Sequence, residues 1–319
     1  MEDPPRTIRI HQYVVLEKIA NGRFGTVCIG KKEKTGEKVA LKIETRPEHR
    51  GVLQHETRLL HYLYNHACRN IPYIYWFGLY QQCPVLVIPY YEYSLFDLYT
   101  HAKPPVICAD GGISSRYSPA RIVYSLLQII QTIHQAGVVH RDIKPHNFMV
   151  KGEELFLIDF GMATFYLAED GGHRPEPTTP KTHLLGTLKY ISYHVHLGCE
   201  YSRRDDLISI GYVFLFIIGR LWWSQLFMGE SEEAPNKGTS RVATPEYSET
   251  HILHPKNQGM RMAKRLEQIE DCFHRISPTS PEKKAEDDCV REYLRYVYSL
   301  AYSAGPDYAR CLAHLAKYA

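Results

Sequence analysis

The stretch HRDIKPHNF, His140 to Phe148, sets one carboxylate, Asp142, between two cations, Arg141 and Lys144. An amide, Asn147, follows five positions after the carboxylate. A carboxylate can accept or orient the proton of an attacking hydroxyl. A lysine two places on can neutralise charge that builds up on a group in transfer, and an amide oxygen is a hard ligand suited to Mg²⁺. Three of the four side chains could act on one phosphoryl group. The alternative is a chance cluster in a polar loop, and the choice depends on whether the other parts of such a site lie elsewhere in workable order.

They do. IANGRFGTV holds Gly22 and Gly25, where backbone N–H groups can approach phosphate oxygens closely, and Val27, which can cover a flat base. Alone, a glycine-rich turn is more often only a turn. VALK puts Lys42 on a strand, and Glu56 lies on the following helix, where an ion pair could hold the lysine towards α- and β-phosphates. A strand lysine by itself is usually a solvated charge. Asp159 of DFG joins Asn147 as a candidate Mg²⁺ ligand. Asp206 begins an apolar helix; it can anchor the backbone of the 140s loop, or serve only as the acidic first-turn residue that the helix dipole favours. Each part has a structural explanation, but in this order they read as a phosphoryl-transfer site.

The elements around these residues are of two kinds. YVVLEKIA, TVCIGKKE and EKVALKIE alternate as three antiparallel strands separated by NGRFG and KTGE. EHRGVLQHETRLLHYLYNH has helical spacing at Leu53, Leu59, Leu60 and Leu63, and PYIYWFGLY and CPVLVIPYY follow as strands. After residue 93 helices are expected at Ala120–Gln135, Asp205–Arg220, roughly 259–275, roughly 287–303 and from Pro306, interrupted by the hairpin FMVKGEELFLIDF. A mostly β unit of about ninety residues thus precedes a larger α unit, and a cleft between them is a natural ligand site. Two polar segments, 101–118 and 228–249, read as long loops.

Composition narrows the class. The 319 residues are 44% hydrophobic and 23% charged, as in a soluble globular protein. A net charge of +3 gives no reason to expect a nucleic-acid or membrane partner. The eight cysteines form no C-x-x-C pair, which speaks against a zinc site or disulfide framework and fits a reducing compartment. MEDPPRTIRIH has no apolar core of a signal peptide, and LISIGYVFLFIIG is too short to span a bilayer, so a buried helix is expected there.

With these motifs in place the chain resembles the eukaryotic protein kinases from about residue 10 to its end. Lys144, two places after Asp142, is similar to serine/threonine rather than tyrosine kinases. More narrowly, HRDIKPHNF, HLG and SRRDDL.S.GYV within GTLKYISYHVHLGCEYSRRDDLISIGYV resemble the casein kinase 1 family. That family has Ser-Ile-Asn where most kinases carry Ala-Pro-Glu; Ser192-Tyr193-His194 stands there in this chain. The resemblance implies an α+β bilobal kinase fold with one domain over 10–319: a small antiparallel sheet plus one helix (about 10–88), a hinge (89–93) and a mainly α lobe (about 94–319). GPDYARCLAHL resembles the last kinase-domain helix, so the family's long tail is expected to be missing. ATP and Mg²⁺ are the implied cofactors. Adenine is expected between Ala40 and Met149, beside the gatekeeper Ile88, with Pro89 offering its C=O and Tyr91 its N–H.

Departures from the family carry their own expectations. Ala20 replaces the first glycine of the phosphate loop; if that position needs φ > 0, alanine costs about 1 kcal/mol and weakens nucleotide binding. The family favours acidic or phosphorylated substrate stretches, and Arg141, Lys181 and Lys189 are the candidate anion-binding cations here. DFGMATFY lacks the usual following lysine pair, and SQLFMGESEEAPN replaces a basic run, so a weaker preference for primed substrates is expected. Activity without phosphorylation of Thr178, Thr179 or Thr182 is implied by the resemblance. The competing readings are a pseudokinase scaffold, whose usual signature is loss of Lys42, Asp142 or Asp159, and a small-molecule kinase of the same fold. A monomer acting on protein serine or threonine in the cytoplasm, the nucleus or both is the expectation.

Overall fold

A computed structural model of the chain describes residues 8–21, 25–46, 50–100, 118–223, 250–275 and 278–319. Gly22 and the expected loop residues 101–117 and 228–249 lie outside the described residues.

The amino-terminal lobe is a six-stranded sheet of β1 (Arg9–Ile10), β2 (Tyr13–Asn21), β3 (Thr26–Lys32), β4 (Lys38–Ile43), β5 (Trp76–Tyr80) and β6 (Cys83–Pro89). The spatial order is β1-β2-β3-β4-β6-β5 and every pair is antiparallel. At KTGE, Gly36 takes φ 73° and donates its N–H to the Lys32 carbonyl at 2.8 Å, a turn that a side chain would strain. Strand alternation divides β6 between two cores. Val85 and Val87 join Cys28, Val39 and Leu41 in a small cluster with Ile10 and Tyr13. Leu86 and Ile88 face the buried leucines 53, 59, 60 and 63 of helix α1 (Val52–Asn65) in the main core. No side chain in its own first turn caps α1. Instead Glu44, just past β4 and 6% exposed, accepts the N–H groups of Gly51 (3.0 Å) and Leu53 (2.9 Å), otherwise orphan donors.

The second lobe contains α2 (Leu95–Thr100), α3 (Pro119–Gln135), α4 (Tyr193–His196), α5 (Arg203–Ile217), α6 (Pro255–Ala263), α7 (Leu266–Arg275), α8 (Pro281–Tyr298) and α9 (Tyr308–Ala316). Short strands β7 (Tyr93–Ser94), β8 (Val138–Val139), β9 (Phe148–Lys151), β10 (Glu154–Leu157) and β11 (Thr164–Phe165) lie among them. Helix α5 is buried on nearly every side, which is why its apolar run shows no amphipathic period. Among the described residues no helix is long and apolar enough to cross a membrane.

Several boundaries differ from those read in the sequence. Helix α5 begins two residues earlier, at Arg203, and ends at Ile217, before the left-handed Gly219 (φ 72°). The helix expected over roughly 259–275 is two, α6 and α7, broken at Lys264 and Arg265. Helix α8 starts at Pro281, where Ser280 accepts the Lys283 N–H at 3.3 Å, and not near 287. The strand expected from Pro72 begins only at Trp76.

Candidate active site

The 140s loop is held from beneath by the start of α5. Asp206, 1% exposed, accepts the backbone N–H of His140 (2.7 Å) and of Arg141 (2.9 Å). His134 Nε2 lies 3.0 Å from the same carboxylate and must donate to it, so Nδ1 accepts from the Tyr308 hydroxyl at 2.6 Å. Burial pushes the Asp206 carboxyl up, but the His134 ring and the loop N–H outweigh it and hold the group below its ordinary value. This clamp keeps Arg141 at φ 67°, a left-handed conformation that a non-glycine residue adopts only when its surroundings impose it. The Asp206 expected as an anchor is therefore one in fact, beyond its place in the first turn of a helix.

Asp142 emerges from this loop with both oxygens engaged. Oδ2 accepts from Lys144 Nζ (2.9 Å) and from Asn147 Nδ2 (3.2 Å). Oδ1 accepts from the Thr187 hydroxyl at 2.6 Å, and that hydroxyl also accepts from Lys144 at 3.1 Å. The second amide hydrogen of Asn147 goes to the Asp142 carbonyl at 2.9 Å, which leaves Oδ1 of Asn147 as the atom available to a cation.

On the opposite wall, Lys42 Nζ lies 2.6 Å from Glu56 Oε1 and 3.4 Å from Asp159 Oδ1. Burial alone would lower the Lys42 pKa; the Asp159 and Glu56 carboxylates outweigh it and hold the group above its ordinary value, as an ammonium. Burial would likewise raise Asp159, but Lys42, Lys144 and His140 pull its carboxyl down. Glu56 also accepts the Phe160 N–H at 3.3 Å, and His55 Nε2 bonds the Ala163 carbonyl at 2.8 Å, so α1 is tied to the DFG segment on two sides. Asp159 has φ 69°, a second left-handed non-glycine residue in the site. Asn147 and Asp159 offer hard oxygens without thiol or imidazole, a donor set that fits Mg²⁺.

Between the walls lies a cavity of about 250 Å³. Gly25 and Val27 line it from the sheet, Lys42, Glu56 and Asp159 from one side, and Asp142, Lys144 and Thr187 from below. At Gly25 a Cβ would stand 2.0 Å from the Ile43 carbonyl, so only glycine fits. The residues expected around adenine do not line this cavity: the register sets Ala40 opposite Ile88, Val39 opposite Pro89 and Met149 opposite Ser94. Tyr91 is buried with its ring 5.2 Å from that of Phe156. Ala20 pairs with Val27 inside β2 and is not among the positive-φ residues. The cost anticipated for alanine at that position therefore does not arise.

The three cations expected to bind anions are not arranged as one open pocket. Lys181 forms an ion pair with Glu200, and its hydrogen bond, with the Tyr201 N–H and the field of Arg141 behind it, holds that carboxylate below its ordinary value against the effect of burial. Arg141 Nε donates to the Met162 carbonyl at 2.6 Å. Lys189 Nζ lies 5.8 Å from the centre of the Tyr190 ring. Sequence reasoning missed Thr187, Glu44 and Glu200. Thr187 was legible in principle, because GTLKYIS was already part of the recognised segment, but a lone threonine in a loop carries no spacing signal.

The chain matches the model of the protein kinase domain over residues 13–274. It belongs to the protein kinase family. Among curated relatives, a protein of Encephalitozoon cuniculi (strain GB-M1) named as a probable casein kinase I homolog is 35% identical over 219 residues, covering 68% of this chain and 65% of the relative. Casein kinase I homolog 2 of Schizosaccharomyces pombe is 28% identical over 316 residues, covering 97% of this chain and 62% of that protein. The chain thus spans somewhat less than two thirds of the length of these relatives. Within the kinases, both of these relatives carry the name casein kinase I homolog.

Proposed function

We propose that this chain is an ATP-dependent protein serine/threonine kinase of the casein kinase 1 type, transferring the γ-phosphoryl group to a protein hydroxyl. The observation that carries the reading is convergence: Lys42, Asp142, Lys144, Asp159 and Thr187, from distant parts of the chain, line one cavity between the sheet and the helical lobe. The three residues whose loss marks a pseudokinase are all in it.

Each residue then has a task. Lys42, kept as a cation by Glu56, receives the α- and β-phosphates. Asn147 Oδ1 and Asp159 would hold Mg²⁺, which when bound would neutralise phosphate charge. A carboxylate has about four acceptor sites. In Asp142 both sites on Oδ2 are taken by Lys144 and Asn147, while among the described residues Oδ1 holds Thr187 alone. The remaining site on Oδ1 is where the attacking hydroxyl places its proton. Lys144 offsets charge on the transferred group.

Substrate choice follows from Glu200. With that carboxylate beside Lys181 and Arg141, the expected anion pocket is in part filled from within, which supports a weak preference for primed substrates and activity without phosphorylation of Thr178, Thr179 or Thr182. The cytoplasm or nucleus is the proposed compartment, in keeping with seven unpaired cysteines among the described residues. Matched peptides with and without an upstream phosphoserine, given to the purified chain with Mg·ATP, test the proposal. Transfer to both at similar rates supports it. A large gain from the phosphate contradicts the substrate assignment, and no transfer to any peptide contradicts the kinase reading.

A further inference from the structure

Lys264 is fully buried, 0% exposed, at the break between α6 and α7. Its Nζ donates to the carbonyls of Leu188 and Ile191, each at 2.7 Å, and lies 3.1 Å from His196 Nε2. The rings of Tyr212 and Trp223 close over it, with centres 5.1 Å and 5.9 Å away. Burying an amine carries a desolvation cost that an apolar side chain filling the same space would not. The two carbonyls it reaches explain its presence. They bracket Lys189 and Tyr190, whose own carbonyls are also captured: Lys189 O accepts from Trp223 Nε1 at 3.0 Å and Tyr190 O from Ser209 Oγ at 2.7 Å. Four consecutive carbonyls, 188 to 191, are thus each bound by a side chain from α5, from the turn after it, or from the α6–α7 break.

The same short segment reaches the site. The Thr187 carbonyl accepts the N–H groups of Tyr190 (2.8 Å) and Ile191 (3.0 Å), and the Thr187 hydroxyl donates to Asp142 at 2.6 Å. We propose that Lys264 is a positioning residue for the phosphoacceptor. Through the Leu188 and Ile191 carbonyls it immobilises the 187–191 turn, which sets Thr187 against Asp142 and forms the floor on which the protein substrate rests. This role rests on the kinase reading. Lys264 lies outside the nucleotide cavity, so its effect falls on the peptide and not on ATP.

The test is Lys264→Met, which keeps a long apolar stem and removes the donor. The KM for peptide rises about tenfold, the worth of one hydrogen bond, and kcat falls severalfold, while the KM for ATP stays within about twofold. Hydrogen exchange in 184–197 accelerates and that of β4 and α1 does not. Equal rises in both KM values, or unchanged exchange in 184–197, overturn the proposal. Should Lys264→Met not fold, Ser209→Ala and Trp223→Phe each remove one neighbouring donor; the same split, smaller, appears in each, and its absence from both overturns the proposal. If the wild-type chain phosphorylates no peptide, the kinase reading fails, and the exchange comparison still decides the anchoring.

Discussion

Thr187 and Asp142 are 45 residues apart in sequence, and the hydroxyl of the first donates to Oδ1 of the second at 2.6 Å. This contact fixes the rotation of the Asp142 carboxylate and so the direction of its one open acceptor site. Thr187→Ala should lower kcat about 10²-fold, the scale of a small misplacement of a reacting group, with nucleotide affinity unchanged. Thr187→Ser, which keeps the hydroxyl, should recover most of the rate in steady-state assays.

Lys42 and Glu56 form a buried pair whose side chains are 16% and 2% exposed. Removing one partner strands the other, so Lys42→Met should destabilise the fold by about 3–5 kcal/mol in urea unfolding. Adding Glu56→Gln should recover part of that loss, though not activity. Strictly additive destabilisation by the two changes would show that the pair is not coupled.

Asp206 joins α5 to the 140s loop through the N–H groups of His140 and Arg141, and to α3 through His134. Asp206→Asn turns an N–H-bearing group towards those donors and should cost about 2–4 kcal/mol, with phosphoryl transfer falling further than stability alone accounts for. Denaturation and turnover measured on the same preparation check both parts.

Burial keeps His134, His140 and His196 below the ordinary histidine pKa, and lowers His194 to about 4. The unfolded chain takes up protons on these rings near pH 6.5 and the folded chain does not. Their contribution to stability is complete above about pH 6.5 and is lost as pH falls through the window below it. Asp159 and Asp206, also lowered, add stability that is present above the carboxylate range near pH 4 and lost below it. Asp205 and Glu56, both raised by burial, oppose this in part. The melting temperature should therefore drop between pH 7 and pH 5; a flat profile contradicts the assignment.

The motifs that were legible in the sequence are those whose residues act from fixed short spacings. Asp142, Lys144 and Asn147 sit within one loop and contact one another directly, so spacing alone reveals them. The Lys42–Glu56 pair was legible because a strand leading to a helix brings the two together. What the sequence concealed is long-range and polar: Glu44 capping α1 from outside it, Thr187 reaching Asp142, and Lys264 beneath the 187–191 turn. The helix read over roughly 259–275 is interrupted at Lys264 and Arg265, and the Lys264 amine turns inward to the Leu188 and Ile191 carbonyls. Elements as short as α2 and α4 contain too few residues to display a period at all.

The central claim is that Asp142 performs phosphoryl transfer in a cavity that also holds the nucleotide. Its most direct test is transfer of labelled γ-phosphate from Mg·ATP to a serine-containing protein such as casein, by the wild-type chain and by Asp142→Asn, with nucleotide binding measured on both. Robust transfer by the wild type, loss of at least about 10²-fold in the variant and equal nucleotide binding is the predicted result. Transfer undiminished by Asp142→Asn, or nucleotide binding without transfer by the wild type, would contradict it.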